Sequence, residues 1–275
     1  MDRGHEVVGV RRSADGIATL RDAGLGTARA DLTDVDALRG LPDADCVLFM
    51  ASPGRRGDQT ARMVYIDALR AVIDEYANRD DPPDRLCYTS STGVYGDHGG
   101  DWVDESTDPN PAGQRGSLLL EAEATALESE QAGIDTTVIR FGGLYGPSRY
   151  AMDRYLTGPV TAGFRNATHQ RDAAGAIDHL LSADAARGEV VLVVDNEPVD
   201  RWAFAEWLAS ECGEPDPPMV TVEERLADPS LSDVARERVK SDKRCRNDRL
   251  RDLGYEPEVP TVWAGYRSAI EAYES

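Results

Sequence analysis

The chain has 275 residues, 29.9 kDa, with 50 acidic residues against 30 Lys and Arg, a formal net charge of −20 and 41% hydrophobic residues. That apolar share supplies a core and excludes wholesale disorder. The length fits one large domain, or one with a smaller appendage, and no stretch approaches the ~18 apolar residues of a membrane span.

Met1-Asp2-Arg3-Gly4-His5 lacks the charged-then-apolar pattern of a secretory leader, so a soluble, cytoplasmic protein is expected. Lys240 and Lys243 are the only lysines, and arginine is scattered. A phosphate-backbone surface needs clustered cations, which argues against nucleic acid. Acid excess with almost no lysine suits a protein kept soluble in concentrated salt, where carboxylate repulsion is screened; an ordinary acidic enzyme is the plainer alternative.

Glu6–Arg11 is the first strand candidate. Ser13 caps a following helix and Gly24 ends it. Gly26–Ala30 is extended, and Asp31-Leu32-Thr33-Asp34 leads into a helical turn. Cys46–Ala51 is a continuous apolar run, as in a strand buried on both faces, broken by Pro53-Gly54. Gln59–Asn78 carries Met63, Ile66, Leu69, Val72, Ile73 and Tyr76 at helical spacing. Arg85–Thr89 is a strand, followed by a polar loop from Ser90 to Gly116 and a helix over Ser117–Gln131. Thr136–Arg140 and Glu189–Val194 are strands. Arg171–Leu181, Arg201–Glu211 and Val262–Tyr273 are helices, and Pro215–Pro218 is a loop. Strands alternating with helices predict an α/β fold with a mostly parallel sheet.

The cysteines, Cys46, Cys87, Cys212 and Cys245, form no metal-ligand spacing. They read as reduced, structural residues. The four histidines form no metal motif either.

Ligands of such sheets bind beyond the carboxyl ends of the strands. After the first strand, Arg11-Arg12 would tolerate a ribose 2′-phosphate, pointing to NADP rather than NAD, or are simply two solvated charges. Asp31-Leu32 can take adenine, Asp31 bonding its amino group and Leu32 covering the ring; Asp31 also suits a helix cap. Ala51-Ser52 are small enough for a cofactor to lie on the backbone, or mark a turn. Ser90-Ser91 leave a buried strand end before Thr92-Gly93-Val94-Tyr95-Gly96. Hydroxyls there are costly unless paired, which makes them substrate and nicotinamide contacts. Arg140 ends the next strand, and Gly142-Gly143 admit close approach of a flat ligand.

Ser90-Ser91-x-x-Val94-Tyr95-Gly96, Arg140-x-x-x-x-Tyr145-Gly146-Pro147 and Asn166-x-x-His169-x-x-Asp172 resemble the extended short-chain dehydrogenase/reductase superfamily, the NAD(P)-dependent epimerase/dehydratase group. Ser241-x-Lys243-Arg244 and Asn247-x-x-Leu250-x-x-Leu253-Gly254-Tyr255 resemble its atypical branch. The resemblance spans nearly the whole chain. It implies a doubly wound Rossmann-type domain, residues 1–149 plus 166–198. A small interleaved carboxyl-terminal region, 150–165 plus 199–275, would cover a small-molecule substrate. Trp202, Phe204 and Trp207 belong to its core. By family analogy Gln59–Asn78 is a homodimer helix.

Two departures from the family pattern stand out. Its opening strand and Gly-x-x-Gly-x-x-Gly phosphate turn are not in this sequence; Arg3–Val8 matches the end of the first helix and the second strand. About 20–30 residues are expected upstream, as from a start codon placed too late, and two strands should be short of a partner. The Tyr-x-x-x-Lys proton relay is also replaced, its positions falling on Arg115 and Leu119. Ser91 matches the substrate-facing hydroxyl, Arg115 can supply the lysine's charge, and Tyr95, Tyr145 or His169 can supply a proton donor; the stronger expectation is that Tyr95 and Tyr145 pack or cap their turns and that His169 bonds a loop carbonyl. Two functions follow: an NAD(P)-dependent oxidoreductase or epimerase of a small, sugar-nucleotide-like substrate, or a non-catalytic NAD(P)-binding regulator.

The charge reading has a direct check. The thermal midpoint should rise between dilute buffer and molar KCl, and equal midpoints in both would refute salt adaptation.

Overall fold

The computed structural model describes residues 4–53 and 60–273. Arg3, Gly54 and Gln59, which figure in the readings above, lie outside the described residues.

The first strand, β1, is Val8–Arg11. Helix α1 (Ala14–Asp22) starts on Ser13, whose side chain accepts from the Gly16 amide. β2 is Gly26–Arg29, and the short α2 (Val35–Leu38) is capped by Asp34. β3 is Cys46–Phe49. A π-helical turn, Met63–Asp67, runs into α3 (Ala68–Ala77), and β4 is Arg85–Ser91. Next come β5 (Trp102–Val103), α4 (Gln114–Leu127), β6 (Asp135–Phe141) and β7 (Gly143–Tyr145). Five elements follow: α5 (Met152–Leu156), β8 (Val160–Thr161), β9 (Phe164–Arg165), β10 (Ala167–His169) and α6 (Gln170–Ser182). β11 (Glu189–Val193), β12 (Val199–Asp200), α7 (Arg201–Glu211) and β13 (Met219–Val220) precede the last group. That group is α8 (Val222–Leu226), α9 (Asp233–Lys240), β14 (Arg244–Cys245), α10 (Asp248–Asp252) and α11 (Val262–Tyr273).

The principal sheet has the order β11-β6-β4-β3, and β3 and β4 run parallel with Cys46 opposite Arg85 and Phe49 opposite Tyr88. β1 and β2 form a separate parallel pair. The fold is the expected doubly wound, Rossmann-type α/β architecture. Among the described residues β1 pairs only with β2, and β3 only with β4. This corrects the expectation for Cys46–Ala51. The strand is four residues long, three of them half-buried, and Met50 is 56% exposed. A strand with one neighbour is not enclosed as a central strand is.

The chain forms two compact units, Met1–Tyr88 with Glu121–Thr137, and Thr89–Leu120 with Val138–Ser275. In the first, Leu38, Ile66, Leu69, Val72 and Leu86 are buried. Tyr76 of α3 and Arg79, two residues past its end, both donate to the Pro42 carbonyl, at 2.9 Å each, which ties α3 to the loop before β3.

The second unit has two cores. Ile139 and Phe141 of β6 and Val191 and Val193 of β11 pack with Ala176 and Leu180 of α6. Phe204, Leu208, Val262 and Tyr266 pack with Tyr145, Tyr155 and Val160, and Trp202 and Trp207 lie against this cluster, as expected. Phe204 touches four rings, those of Tyr155, Trp207, Trp263 and Tyr266, at 4.9–5.8 Å between centroids.

α4 begins three residues earlier than its apolar pattern predicts. The short strands β5, β7–β10 and β12–β14 were not anticipated, since two or three residues hold no period. Neither was α9: it has no buried residue, hence no apolar stripe to read.

Phe204→Ala should cost about 3–5 kcal/mol in urea unfolding. A loss under 1 kcal/mol would mean that the aromatic cluster is not a cooperative core.

Candidate functional site

All that follows in this unit is anchored on one buried turn. Ser91 ends β4, and its Oγ accepts the Gly93 amide at 3.1 Å, which starts a 3₁₀ turn over Thr92–Tyr95. Ser90 is buried and Ser91 half-buried. Gly96 closes the turn at φ +63°, and a Cβ there would stand 1.7 Å from the Asn110 carbonyl oxygen, so only glycine fits.

The Gly96 carbonyl is buried and doubly bonded. It accepts from Ser241 Oγ at 2.8 Å and from Lys243 Nζ at 3.2 Å, and Lys243 also donates to Ser241 Oγ at 2.6 Å. Burial pulls the Lys243 ammonium below its ordinary range. β14 is held in place by Asn166, whose Oδ1 accepts the Cys245 amide at 2.6 Å while its Nδ2 donates to the Lys243 carbonyl at 2.9 Å.

Tyr95 is fully buried. Its hydroxyl donates to the Asp104 carbonyl and accepts from Arg140 Nη1, both at 2.7 Å, and the Arg140 guanidinium lies 4.8 Å from its ring. Burial raises the phenol above its ordinary range. The structure thus brings together two predicted site residues, Tyr95 and Arg140, as an internal pair. Tyr145 is likewise buried, with its hydroxyl 3.4 Å from the Thr261 carbonyl. His169 caps α6, its Nδ1 accepting the Arg171 amide at 3.2 Å. The Asp172 carboxylate accepts Tyr255 and the amides of Glu258 and Val259.

Arg115 lies in the first turn of α4 and is half-buried. A Cβ on neighbouring Gly116 would stand 3.3 Å from the Gly93 carbonyl, so the helix start and the Ser91 turn touch. The Glu237 carboxylate of α9 reaches the Arg115 amide at 3.4 Å and fills the space where Gly113 lacks a side chain. Beside them a cleft of about 490 Å³ opens along Asn110–Ala112, Val239 and Lys240.

Gly142 differs from its sequence reading. A Cβ there would stand 2.9 Å from the Asn166 carbonyl and 3.0 Å from Thr168 Oγ1, so its close approach is to the protein's own β10; Gly143 is exposed. The other predicted cofactor contacts lie in the first unit. Arg12 and Asp31 stand 3.7 Å apart with both side chains partly exposed, and Asp31 also accepts the Thr33 amide and hydroxyl; this is a local turn rather than the helix cap that its sequence allowed, since Asp34 caps α2. Arg11 is exposed, Leu32 and Ala51 are half-buried, and Ser52 is exposed. An exposed guanidinium pair with a carboxylate and small residues at strand ends is a donor set that fits the ribose end of a dinucleotide.

One cluster escaped the sequence reading. The guanidiniums of Arg165 and Arg154 stand 5.1 and 5.6 Å from the Tyr155 ring. Burial would raise that phenol, yet Arg165, Arg154 and Arg201 together hold it below its ordinary range. Arg165 is ringed by Tyr145, Tyr155, Phe204 and Tyr266 at 4.9–5.2 Å. Among the described residues none of the three arginines has a carboxylate within 4 Å, whereas others, such as Arg62, Arg79 and Arg249, do. No local motif marks such a cluster, because it unites α5, β9 and α7.

The profile of the NAD dependent epimerase/dehydratase family matches residues 1–187. The chain belongs to that family. Protein YeeZ of Escherichia coli K12 is 32% identical over 192 residues, a stretch that spans 66% of this chain and 66% of YeeZ. A conserved protein of unknown function from Silicibacter pomeroyi superposes with a TM-score of 0.77 at 26% identity, over 99% of this chain and 91% of that one. The dTDP-glucose 4,6-dehydratase of Streptomyces venezuelae, solved with NAD bound, superposes with a TM-score of 0.77 at 17% identity, over 98% and 88% of the two chains. Among the described residues no helix is long and apolar enough to cross a membrane.

Tyr95→Phe should cost about 1–3 kcal/mol in urea unfolding, because Arg140 loses an acceptor inside the unit. An unchanged midpoint would show that the Tyr95 hydroxyl is not a structural bond.

Proposed function

We propose that this chain is an NAD(P)-dependent oxidoreductase of the epimerase/dehydratase type, acting on a small anionic, sugar-nucleotide-like substrate without a Tyr-x-x-x-Lys relay. The observation that carries this reading is the convergence of Arg154, Arg165 and Arg201 without carboxylate partners. In a chain with 20 more acids than bases, a guanidinium cluster whose hydrogen-bond partners are a phenol and carbonyls rather than carboxylates keeps its positive charge for an anion from outside.

In this reading residues 1–149 and 166–198 hold the cofactor and residues 150–165 and 199–275 cover the substrate. Arg11 and Arg12 take the ribose phosphate end, which favours NADP. Asp31 and Leu32 face the adenine, and Ala51, Ser52, Ser90 and Gly143 border the dinucleotide. Arg140 acts from inside by fixing Tyr95 and the turn. When bound, the nicotinamide supplies hydride acceptance and return. The Ser91 Oγ accepts an amide bond, which leaves its proton for a substrate oxygen. Arg115 supplies positive charge to an oxygen that gains negative charge. The protein works in the cytoplasm of a salt-rich cell and pairs with a second copy through the helical segment Met63–Ala77.

A second reading, an NAD(P)-binding regulator without turnover, is favoured by Arg115 and Leu119 standing where the dyad would be, and by Tyr95 and Lys243 being bonded into the fold.

Calorimetry in molar KCl tests both. NADPH should bind more tightly than NADH, and binding of neither would overturn both readings. UDP, as the anionic probe, should bind roughly tenfold more weakly to Arg154→Ala, whose side chain is exposed and not needed for the core. Equal UDP affinity would remove the arginine cluster from the substrate site. Turnover of any nucleotide sugar with NADPH or NADP would exclude the regulator.

A further inference from the structure

The two cysteines of the principal sheet are neighbours. Cys46 of β3 stands opposite Arg85 of β4, and Leu48 opposite Cys87. Paired residues share a face, and so do residues two apart on one strand. Cys46, Arg85 and Cys87 therefore project from the same face, the two sulfurs as diagonal neighbours. The Cys46 thiol donates a hydrogen bond to the Cys87 sulfur, and the Arg85 guanidinium bonds the same sulfur.

We propose that Cys46 and Cys87 are an oxidative modification site, a thiol pair that peroxide closes reversibly into a disulfide between β3 and β4. The inference is independent of the cofactor and substrate reading.

The pair is chemically unequal. The hydrogen bond from Cys46, with Arg85 beside it, draws Cys87 below the ordinary thiol range despite burial, while that same bond and its own burial hold Cys46 above it. Cys87 is thus the more acidic thiol, the one that more readily gives the attacking thiolate, and Cys46 the proton holder. Cys87 is fully buried, so the oxidant must be as small as hydrogen peroxide. The Cys87 sulfur attacks one peroxide oxygen, the O–O bond breaks, and the hydroxide that leaves takes a proton to become water. Cys87 is then a sulfenic acid. The Cys46 sulfur attacks it, the S–O bond breaks, and the departing hydroxide takes the Cys46 proton as a second water. Two thiols lose two electrons to one peroxide.

Diagonal neighbours on adjacent strands stand about 7–8 Å apart at Cα, and disulfides span up to about 7 Å. Closure therefore draws β3 towards β4. β3 has no other strand partner among the described residues, so the shift breaks no second ladder. Cys245 lies outside this chemistry: burial pushes its thiol up to about 12.

The test treats the full chain with one equivalent of hydrogen peroxide, removes the excess, and alkylates with iodoacetamide under denaturing conditions before intact-mass and peptide analysis. The expected product has lost two hydrogens, carries alkyl groups on Cys212 and Cys245, and yields a joined Cys46–Cys87 peptide; dithiothreitol restores all four thiols. Cys46→Ser, a substitution at a half-buried strand position, should leave Cys87 without its resolving partner. It should then proceed to sulfinic acid that dithiothreitol does not reverse. The proposal is overturned if the wild type is alkylated at all four cysteines. It is equally overturned if its Cys87 is oxidised as irreversibly as in Cys46→Ser, with no joined peptide.

Discussion

The second unit is organised by the need to satisfy one buried carbonyl. Gly96 turns the chain back at the end of the Ser91–Tyr95 turn, in a conformation and a space that only glycine occupies. Its carbonyl faces inward, where an unmet acceptor costs about 1–3 kcal/mol. Ser241 and Lys243, more than 140 residues away in sequence, meet it together. That bond requires β14 beside β5, and Asn166 holds β14 there by accepting from one of its amides and donating to the carbonyl before it. The turn, the closing strand and the Asn166 loop are thus one hydrogen-bonded assembly, and the start of α4 rests on it through Gly93 and Gly116.

Several residues that look like chemistry in the sequence are spent on this assembly. Lys243 is a buried lysine near the turn that carries Ser91, yet its ammonium serves Gly96 and Ser241. Tyr95 is the phenol of the turn that Ser91 starts, and both its donor and its acceptor are used by Asp104 and Arg140. Asp172 closes a loop by accepting two amides and a phenol. Arg201 and Arg165 are partly spent as well, donating to the Ala162 and Ser241 carbonyls and to the Tyr266 hydroxyl, whereas Arg154 is exposed.

Those guanidiniums are held in an unusual way for so acidic a chain. Surface arginines such as Arg62, Arg79 and Arg249 are tied to carboxylates. Arg165 is instead enclosed by four aromatic rings, whose faces stabilise a desolvated cation by up to about 2 kcal/mol each without neutralising it. The rings orient the charge and leave it available, which is the preorganisation that an anion site needs.

Much of this was legible in the sequence, for a definable reason. Long elements carry their period locally: α7 and α11 were delimited to the residue, and β1, β4, β6 and β11 to within three residues at either end, because burial on one face repeats every 3.6 or two residues. The Ser13 cap and the Ser90–Gly96 turn were legible because capping and positive φ demand particular residue types over a few positions. What the sequence by itself determined was therefore the fold class and the family. Only the tertiary structure decided which polar groups were already committed. Tyr95 and Ser91 are equally polar on paper, but the Tyr95 hydroxyl is fully bonded, and that depends on partners nine and 45 residues distant. The Tyr155 arginines, the Gly113–Glu237 fit and the Cys46–Cys87 pairing are of the same kind. Each joins residues from elements far apart in the chain, and strand register and helix packing create it.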